Sequence, residues 1–336
     1  MTDPLLQIRN LQTSFKTEGG LLHAVNGVSL DVHAGETLAL VGESGCGKSA
    51  TAFSVLGLIQ NHSGSRVSGS IIYDGQDLVG LPTRALNAIR GRKIGMIFQD
   101  PMTSLNPVLT IGSQLEEAIR THKPSSTAAT RQHAAAMLER VQIPDPRRCL
   151  KLFPHELSGG MRQRVMIAIA LSCEPGLLIA DEPTTALDVT VQRQILDLID
   201  NLKRESNMGV MLITHDMGVV AQYANRVAVM YAGRVVETGQ AADLFRVARH
   251  PYTRGLLASM PIPRRAGEAR GSRRLVELPG AVPDPLSWGK GCHFRPRCAE
   301  ALEVCARQTP ELRASNDTGT VACFAHTGQP SGSVAQ

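Results

Sequence analysis

The stretch TLALVGESGCGKSATAFSVLGLI, residues 37–59, decides the fold, because a strand-like apolar run, a glycine-rich turn and residues at helical spacing follow one another. Residues 42–49 fit G-x-x-x-x-G-K-[ST] at every fixed position. Glycines let the backbone curl so that several N–H groups point at phosphate oxygens, and the following helix's N-terminus adds partial positive charge. This stretch therefore predicts a phosphate-binding loop.

The predicted loop carries a cation and a hydroxyl for the nucleotide. Lys48 would reach the β- and γ-phosphates, and the Ser49 hydroxyl would bind Mg²⁺. The alternative, a glycine-rich turn without function, does not account for the strand-to-helix context. We expect Cys46 to be only a small residue within the loop. The predicted ATP-binding positions here are Gly42, Ser44, Gly45, Cys46, Gly47, Lys48, Ser49 and Ala50.

A second element is PGLLIADEP, residues 175–183, which predicts a buried parallel-type strand ending in two carboxylates. Asp181 would hold Mg²⁺ through water, and Glu182 would polarise the attacking water as general base. Taken alone, two adjacent acids after an apolar run could also be an ordinary strand end that enters a loop.

A second anion site is predicted in HELSGGMRQRVMIAIAL, residues 155–171, where Ser158, Gly159 and Gly160 precede a helix. One protein seldom needs two such sites for one nucleotide. Here the chain resembles the ATP-binding-cassette (ABC) family, whose signature is LSGGQ, with Met161 in place of the glutamine.

The resemblance assigns further site residues in the family's order. It implies that Gln99, in MIFQDPMTSLNP, contacts Mg²⁺ and the catalytic water, and that His215, in VMLITHD, contacts the γ-phosphate. It also implies a D-loop at residues 186–188 with Asp188 as its acid. Phe15 would stack on adenine, with a core phenylalanine as the alternative. Together these motifs cover residues 5–250.

The resemblance implies an α/β fold with an ABC-type ATPase core, an antiparallel β subdomain and a helical subdomain. Two cassettes would pack head to tail, so that one chain's phosphate loop and the other chain's Ser158, Gly159 and Gly160 hold each ATP. Because this sequence has one copy of each motif, we expect the chain to pair. Closure on ATP and opening after hydrolysis would form a two-state switch.

Three stretches look like the ATPases of oligopeptide and dipeptide importers, a group that includes nickel systems: residues 99–119, 229–239 and 249–261. This implies a second related ATPase subunit, with a homodimer left open, two transmembrane permease subunits and an extracytoplasmic peptide-binding protein. The chain would lie peripherally on the cytoplasmic face of the inner or plasma membrane. The alternative is a non-transport ABC ATPase that acts in nucleic-acid repair or regulation.

The sequence also predicts the chain's organisation. Residues 1–250 would form the nucleotide-binding domain, with a helical subdomain at about 100–172, and 251–330 a C-terminal extension with the basic stretch 263–274 as an exposed linker. The start of the helical subdomain would receive the permeases, or else be simple turn chemistry; its residues are Pro101, Leu105, Asn106 and Pro107. A net charge of +5 and 4% aromatic residues do not favour nucleic acid. The strongest apolar run, residues 165–171, is too short to cross a bilayer.

Four cysteines near the C-terminus follow the spacing C-x5-C-x6-C-x17-C: Cys292, Cys298, Cys305 and Cys323. Structural zinc sites usually use tighter pairs. Four thiolates in a loop-rich segment suit a [4Fe-4S] cluster, and the pattern looks like that of peptide-importer ATPases that carry one. A Zn²⁺ site and plain reduced cysteines are the alternatives. We expect the remaining three cysteines not to be ligands.

Overall fold

The structure is a computed structural model that describes residues 3–60, 64–100, 104–185, 187–260, 278–286, 288–315 and 319–327. The strands are β1 Leu6–Thr17, β2 Gly20–Val32, β3 Thr37–Val41, β4 Ser65–Tyr73, β5 Gln76–Asp77, β6 Ile94–Ile97, β7 Leu177–Asp181, β8 Gly209–Thr214, β9 Arg226–Tyr231, β10 Arg234–Gln240, β11 Arg313–Ser315 and β12 Gly319–Val321. The helices are α1 Lys48–Val55, α2 Thr83–Ile89, α3 Ile111–His122, α4 Thr127–Arg140, α5 Pro146–Cys149, α6 Gly159–Leu171, α7 Val189–Ser206, α8 Met217–Tyr223, α9 Ala241–Arg246, α10 Pro251–Ala258 and α11 Phe324–Thr327.

The main sheet has the strand order β11-β12-β10-β9-β3-β8-β7-β6, and its five strands from β9 to β6 are parallel. β3, β7 and β8 are buried along their whole length, as parallel strands covered on both faces should be. The predicted phosphate loop, Glu182 and His215 directly follow these three neighbouring strands. The topology therefore brings distant parts of the sequence to one edge of the sheet.

A second, antiparallel sheet with the order β2-β1-β4-β5 covers one face of the main sheet. Its apolar side chains, such as Leu30 and Ile71, share a buried cluster with Leu40 of β3, Val55 of α1 and Ile213 of β8. The helices α3 to α6 lie between β6 and β7 in the chain, and their buried faces pack against the other side of the sheet. The α/β prediction with an antiparallel layer and a helical part is confirmed.

The segment after residue 250 is joined to the cassette by backbone pairing. β12 pairs with β10, so that Glu237 lies opposite Val321 and Thr238 opposite Thr320. Tyr252 and Phe294 share a buried cluster with Val41 and Tyr231. The predicted linker 263–274, Pro101 and Ala186 lie outside the described residues. Among the helices of the described ranges, none combines the length and apolarity needed to cross a membrane.

A small residue at the β12–β10 pairing gives a test of this attachment. A Cβ on Gly319 would lie 2.2 Å from the Thr238 carbonyl oxygen, whereas a Cβ on Gly289 would meet nothing within 4 Å. Because the strands must separate to admit a methyl group, we expect Gly319→Ala to lower the free energy of unfolding by about 1–3 kcal/mol. Urea denaturation measures this change, with Gly289→Ala as control; equal stability of the two variants would contradict the described pairing.

Candidate nucleotide site

The phosphate loop is pressed against the backbone of two strands. Gly42 (φ +154°) and Gly47 (φ +102°) adopt conformations that side chains disfavour. A Cβ on Gly42 would lie 2.2 Å from the Met230 carbonyl oxygen, and one on Gly47 would lie 2.3 Å from that of Ala24. Both glycines are therefore required by space as well as by conformation.

Lys48 begins α1 and is buried beneath the loop. Its ammonium donates hydrogen bonds to the carbonyl oxygens of Gly42, at 2.8 Å, and Glu43, at 3.0 Å. These carbonyls satisfy hydrogen bonds without supplying a full negative charge. The arrangement leaves the cation suited to the phosphates of a nucleotide.

Asp181 ends β7 with its side chain buried and only 1% of the residue exposed. Burial raises the pKa of Asp181, and a hydrogen bond with Ser49 acts in the opposite direction. Its Oδ1 has no hydrogen-bond partner among the described residues. A buried, unpartnered carboxylate oxygen beside a hydroxyl is a donor set that fits Mg²⁺.

Glu182 is the centre of the polar network. Its backbone is in the left-handed region (φ +46°), and its N–H donates to the Ile213 carbonyl oxygen at 2.9 Å. The carboxylate accepts hydrogen bonds from Gln99 Nε2 at 3.2 Å and from the Thr185 hydroxyl at 3.0 Å. His215 Nδ1 lies 3.1 Å from the other carboxylate oxygen.

The electrostatics of Glu182 favour its ionised form. Burial acts to raise the pKa of Glu182, but the hydrogen bonds and charge of His215, the Thr185 hydroxyl and the charge of Lys48 together hold it below its ordinary value. The structure thus brings together Gln99, Glu182 and His215. Sequence reasoning missed Thr185, although it follows the carboxylates by only a few residues.

The signature and the D-loop acid lie at two helix N-termini. Ser158 precedes α6, and its hydroxyl accepts a hydrogen bond from the Met161 N–H at 3.3 Å. Asp188 precedes α7, and its carboxylate accepts from the N–H groups of Thr190 and Val191, both at 3.0 Å. Within the described residues, no hydrogen bond joins 158–160 to the loop 42–49.

The other predicted nucleotide contacts differ in exposure. Phe15 on β1 is half-buried and lies outside the three buried apolar clusters of the described residues, so part of its ring is accessible. Ser44 and Gly45 are exposed at the loop's tip, and Ala50 is half-buried on α1. Cys46 is fully buried, and burial raises the pKa of its thiol. Its side chain is therefore an interior residue beneath the loop.

The four C-terminal cysteines line one small cavity together with His250 and Phe294. All are half-buried thiols, and the Cys292 N–H donates to the Cys305 carbonyl oxygen at 2.9 Å. Burial raises the pKa of Cys292 to about 11. In the described ranges, however, no group of three or more His, Cys, Asp or Glu side chains has the geometry to hold a metal ion. The predicted metal module is therefore not confirmed. The four thiols share one cavity but are not arranged around an ion. The other three cysteines are buried elsewhere: Cys46, Cys149 and Cys173.

Comparisons with known proteins agree with this geometry. Residues 25–185 match the ABC transporter family, and residues 236–305 match the C-terminal region of oligopeptide/dipeptide transporters. The chain is 50% identical to the dipeptide transport ATP-binding protein DppD of Bacillus subtilis, over 96% of this chain and 95% of that protein. It is 48% identical to the oligopeptide transport ATP-binding protein OppD of Salmonella typhimurium, over 95% of this chain and 93% of that protein.

Solved structures give the same answer for the fold. A dimeric ATP-binding cassette in a post-hydrolysis state, bound to ADP and phosphate, has a TM-score of 0.63 at 28% identity. The match covers 70% of this chain and 98% of that chain. A second dimeric structure of the same cassette, described as a bacterial ABC transporter cassette, also has a TM-score of 0.63, at 29% identity and with the same coverage.

The position of Glu182 predicts a separation of binding from turnover. We expect Glu182→Gln to bind ATP but to hydrolyse it about 10²–10⁴-fold more slowly, because the amide keeps the shape and removes the base. Steady-state phosphate release measures the loss, and sedimentation with ATP should reveal a trapped dimer. Glu139→Gln, at an exposed position on α4, is the control. Turnover near that of the control would rule out the role given to Glu182.

Removing the buried ammonium should instead weaken binding. We expect Lys48→Ala to raise the ATP dissociation constant at least about tenfold, because a charge-assisted hydrogen bond to phosphate is lost. Calorimetric titration measures the affinity, and Lys151→Ala, at an exposed position, is the matched control. An unchanged affinity would show that the loop is not the phosphate site.

Proposed function

Because the chain belongs to the ABC transporter family, and within it to the ATP-binding proteins of oligopeptide and dipeptide transporters, we propose that it hydrolyses ATP to drive uptake of di- or oligopeptides through separate membrane subunits. One observation carries the proposal beyond family membership. The Glu182 carboxylate is held by Gln99, Thr185 and His215 at the sheet edge that carries the phosphate loop.

The residues of the candidate site have separate roles in ATP hydrolysis. The N–H groups of the loop and the Lys48 ammonium bind and orient the β- and γ-phosphates. Glu182 accepts a proton from the attacking water, and its lowered pKa keeps it ionised before that step. His215 and Gln99 contact the γ-phosphate end of the site and orient Glu182. Phe15, which is half-buried on β1, would stack on adenine.

Ser49, Gln99 and Asp181 would hold Mg²⁺, with Asp181 acting through water. When bound, the ion offsets phosphate charge and aids departure of the leaving group. The hydrogen bond between Ser49 and Asp181 orients the hydroxyl, and the unpartnered Asp181 Oδ1 supports this assignment.

A second cassette completes each site. Ser158, Gly159 and Gly160 present a helix N-terminus that bonds none of the described loop residues of the same chain, which supports action on the ATP of a partner. Asp188 caps α7 beside them and would lie at the same interface. The partner is a second related ATPase subunit.

The transport partners are two transmembrane permease subunits and an extracytoplasmic peptide-binding protein, with the chain peripheral on the cytoplasmic face of the membrane. The start of the helical part supports a docking surface. Leu105 is buried there, and Val108 is 75% exposed at the turn that Asn106 forms by accepting the Val108 N–H at 3.1 Å.

Residues 1–250 act as the cassette, with the helical subdomain at about 100–172, and residues 251–330 as the extension.

A charge in this surface tests the transport role. When all subunits are expressed together, we expect Val108→Asp to lose most co-purification with the permeases, because docking would bury an unpaired carboxylate. Val247→Asp, at a position 57% exposed in the segment after α9, is the matched control and should co-purify normally. Retention by both variants would refute the surface. Co-purification of the unmodified chain with DNA or RNA instead of permeases would refute the transport function.

The four-cysteine cavity is proposed to hold a [4Fe-4S] cluster as a structural element. Cys292, Cys298, Cys305 and Cys323 line one cavity, and thiolates are the donors that such clusters take. ATP hydrolysis needs no electron transfer, so the cluster would fasten the extension.

Iron analysis tests the cluster independently of activity. Protein purified anaerobically should be brown and contain about four irons per chain. Replacement of any one of the four cysteines by serine should lower the iron content, whereas Cys149→Ser should not. Colourless anaerobic protein with one zinc per chain would overturn the cluster, and full iron retention in the serine variants would overturn the ligand set.

A further inference from the structure

An ion pair joins the C-terminal extension to the phosphate loop. Its two residues, Arg297 and Glu43, are 254 positions apart in the chain. The Arg297 guanidinium donates to both carboxylate oxygens of Glu43, at 2.6 and 3.0 Å. Glu43 is the second residue of the loop. Only 4% of the Arg297 side chain is exposed, against 29% of the Glu43 side chain, so water reaches the pair mainly from the Glu43 side. A bidentate guanidinium–carboxylate pair fixes orientation as well as distance.

Arg297 is itself held in place by the extension and by the end of β9. Its Nε donates to the Pro279 carbonyl oxygen at 2.8 Å. The guanidinium lies 5.8 Å from the centre of the Tyr231 ring and 5.9 Å from that of Phe294. The hydrogen bonds with Glu43 raise the pKa of Arg297. The cation is therefore positioned before any nucleotide binds.

Glu43 is fixed on three sides. Besides the ion pair, its N–H donates to the Tyr252 hydroxyl at 2.9 Å, and Tyr252 belongs to α10 of the extension. Its carbonyl oxygen accepts from the Lys48 ammonium at 3.0 Å. A shift of Glu43 would therefore move a group that holds the phosphate-binding lysine.

The turn that carries Arg297 lies between two cysteines of the four-cysteine cavity. Residues Arg295–Arg297 form a 3₁₀ turn. The Arg295 N–H donates to the Cys292 carbonyl oxygen at 3.0 Å, and the Cys298 N–H donates to the Arg295 carbonyl oxygen at 3.2 Å. The orientation of Arg297 thus depends on the backbone around these two cysteines.

We propose that Arg297 is a positioning residue of the nucleotide site, acting through Glu43 and Lys48, so that the C-terminal extension sets the affinity for ATP. This rests on the proposed function, because it assumes that the loop binds ATP. It adds that the extension is part of the ATPase machinery. The loop still binds the phosphates, and Glu182 after β7 still acts as the base.

The first test compares two arginines of the same turn. Arg297→Met removes the ion pair, and Arg295→Met, at an exposed position, is the matched control. We expect Arg297→Met to weaken ATP binding about tenfold, within the range of coupled sites, with turnover at saturating ATP changed less than about threefold. Arg297→Lys should recover part of the affinity, because an ammonium restores the charge but not the bidentate geometry. Calorimetry, steady-state kinetics and thermal unfolding are measured for each variant.

A double-mutant cycle keeps the test open if Arg297→Met folds poorly. Glu43→Gln changes only the loop side of the pair and should weaken ATP binding to a similar extent. The double variant should be no weaker than about the worse single variant, since one interaction is removed once. Equal ATP affinity of Arg297→Met and Arg295→Met, unchanged affinity of Glu43→Gln, or multiplying effects in the double variant would overturn the proposal.

ATP binding by the unmodified chain distinguishes failure of the proposed function from failure of the positioning role. If the unmodified chain does not bind ATP, the proposed function fails. If it binds ATP and the Arg297 and Glu43 variants bind equally well, only the positioning role fails.

Discussion

The close packing of the loop 42–49 against the backbone of β9 and β2 is the constraint on which the site depends. At Gly42 and Gly47 a single added carbon would overlap a carbonyl oxygen, so the loop has one path between β3 and α1. On that path Lys48 is buried beneath the loop, and its ammonium donates to two of the loop's carbonyl oxygens. The parallel order of β3, β8 and β7 then brings the two carboxylates of residues 181 and 182 to the same edge. Strand topology and glycine geometry thus assemble the chemistry together.

Glu182 connects this edge to the rest of the cassette. Its left-handed backbone lets the carboxylate meet side chains that follow three different strands: Gln99 after β6, Thr185 after β7 and His215 after β8. Gln99 also begins the segment that leads into the helical part. A change at the γ-phosphate end of the site can therefore reach the surface proposed for the permeases through one side chain. The extension holds the start of the phosphate loop through Glu43. Both the helical subdomain and the C-terminal extension are therefore connected to the candidate nucleotide site.

The sequence predicted the parts of the site that are local in the chain. Residues 37–59 contain β3, the loop and α1 in one stretch, and Asp181 and Glu182 come at the end of the apolar run that forms β7. The hydrophobic pattern and the motifs were therefore enough to predict these parts. Arg297 could not be found in this way, because its partner lies 254 residues away and an exposed arginine has the same sequence signature. The pairing of β12 could not be predicted either. The strand has only three residues, Gly-Thr-Val, which is too short to show the alternation of apolar and polar residues that indicates a strand. Cysteine spacing predicted a shared location for four thiols, but spacing alone does not determine whether they are arranged around an ion.

The most direct test of the account is the Mg²⁺ dependence of ATP binding. Ser49 and the buried, unpartnered oxygen of Asp181 are the groups that join the phosphate loop to the end of β7. Calorimetric titration of ATP with and without Mg²⁺ should show that the ion tightens binding to the unmodified chain and has little effect on Asp181→Asn, while binding without the ion is similar in the two. An equal effect of Mg²⁺ on both proteins would contradict the account, because the loop and the strand-end carboxylates would then not form one site.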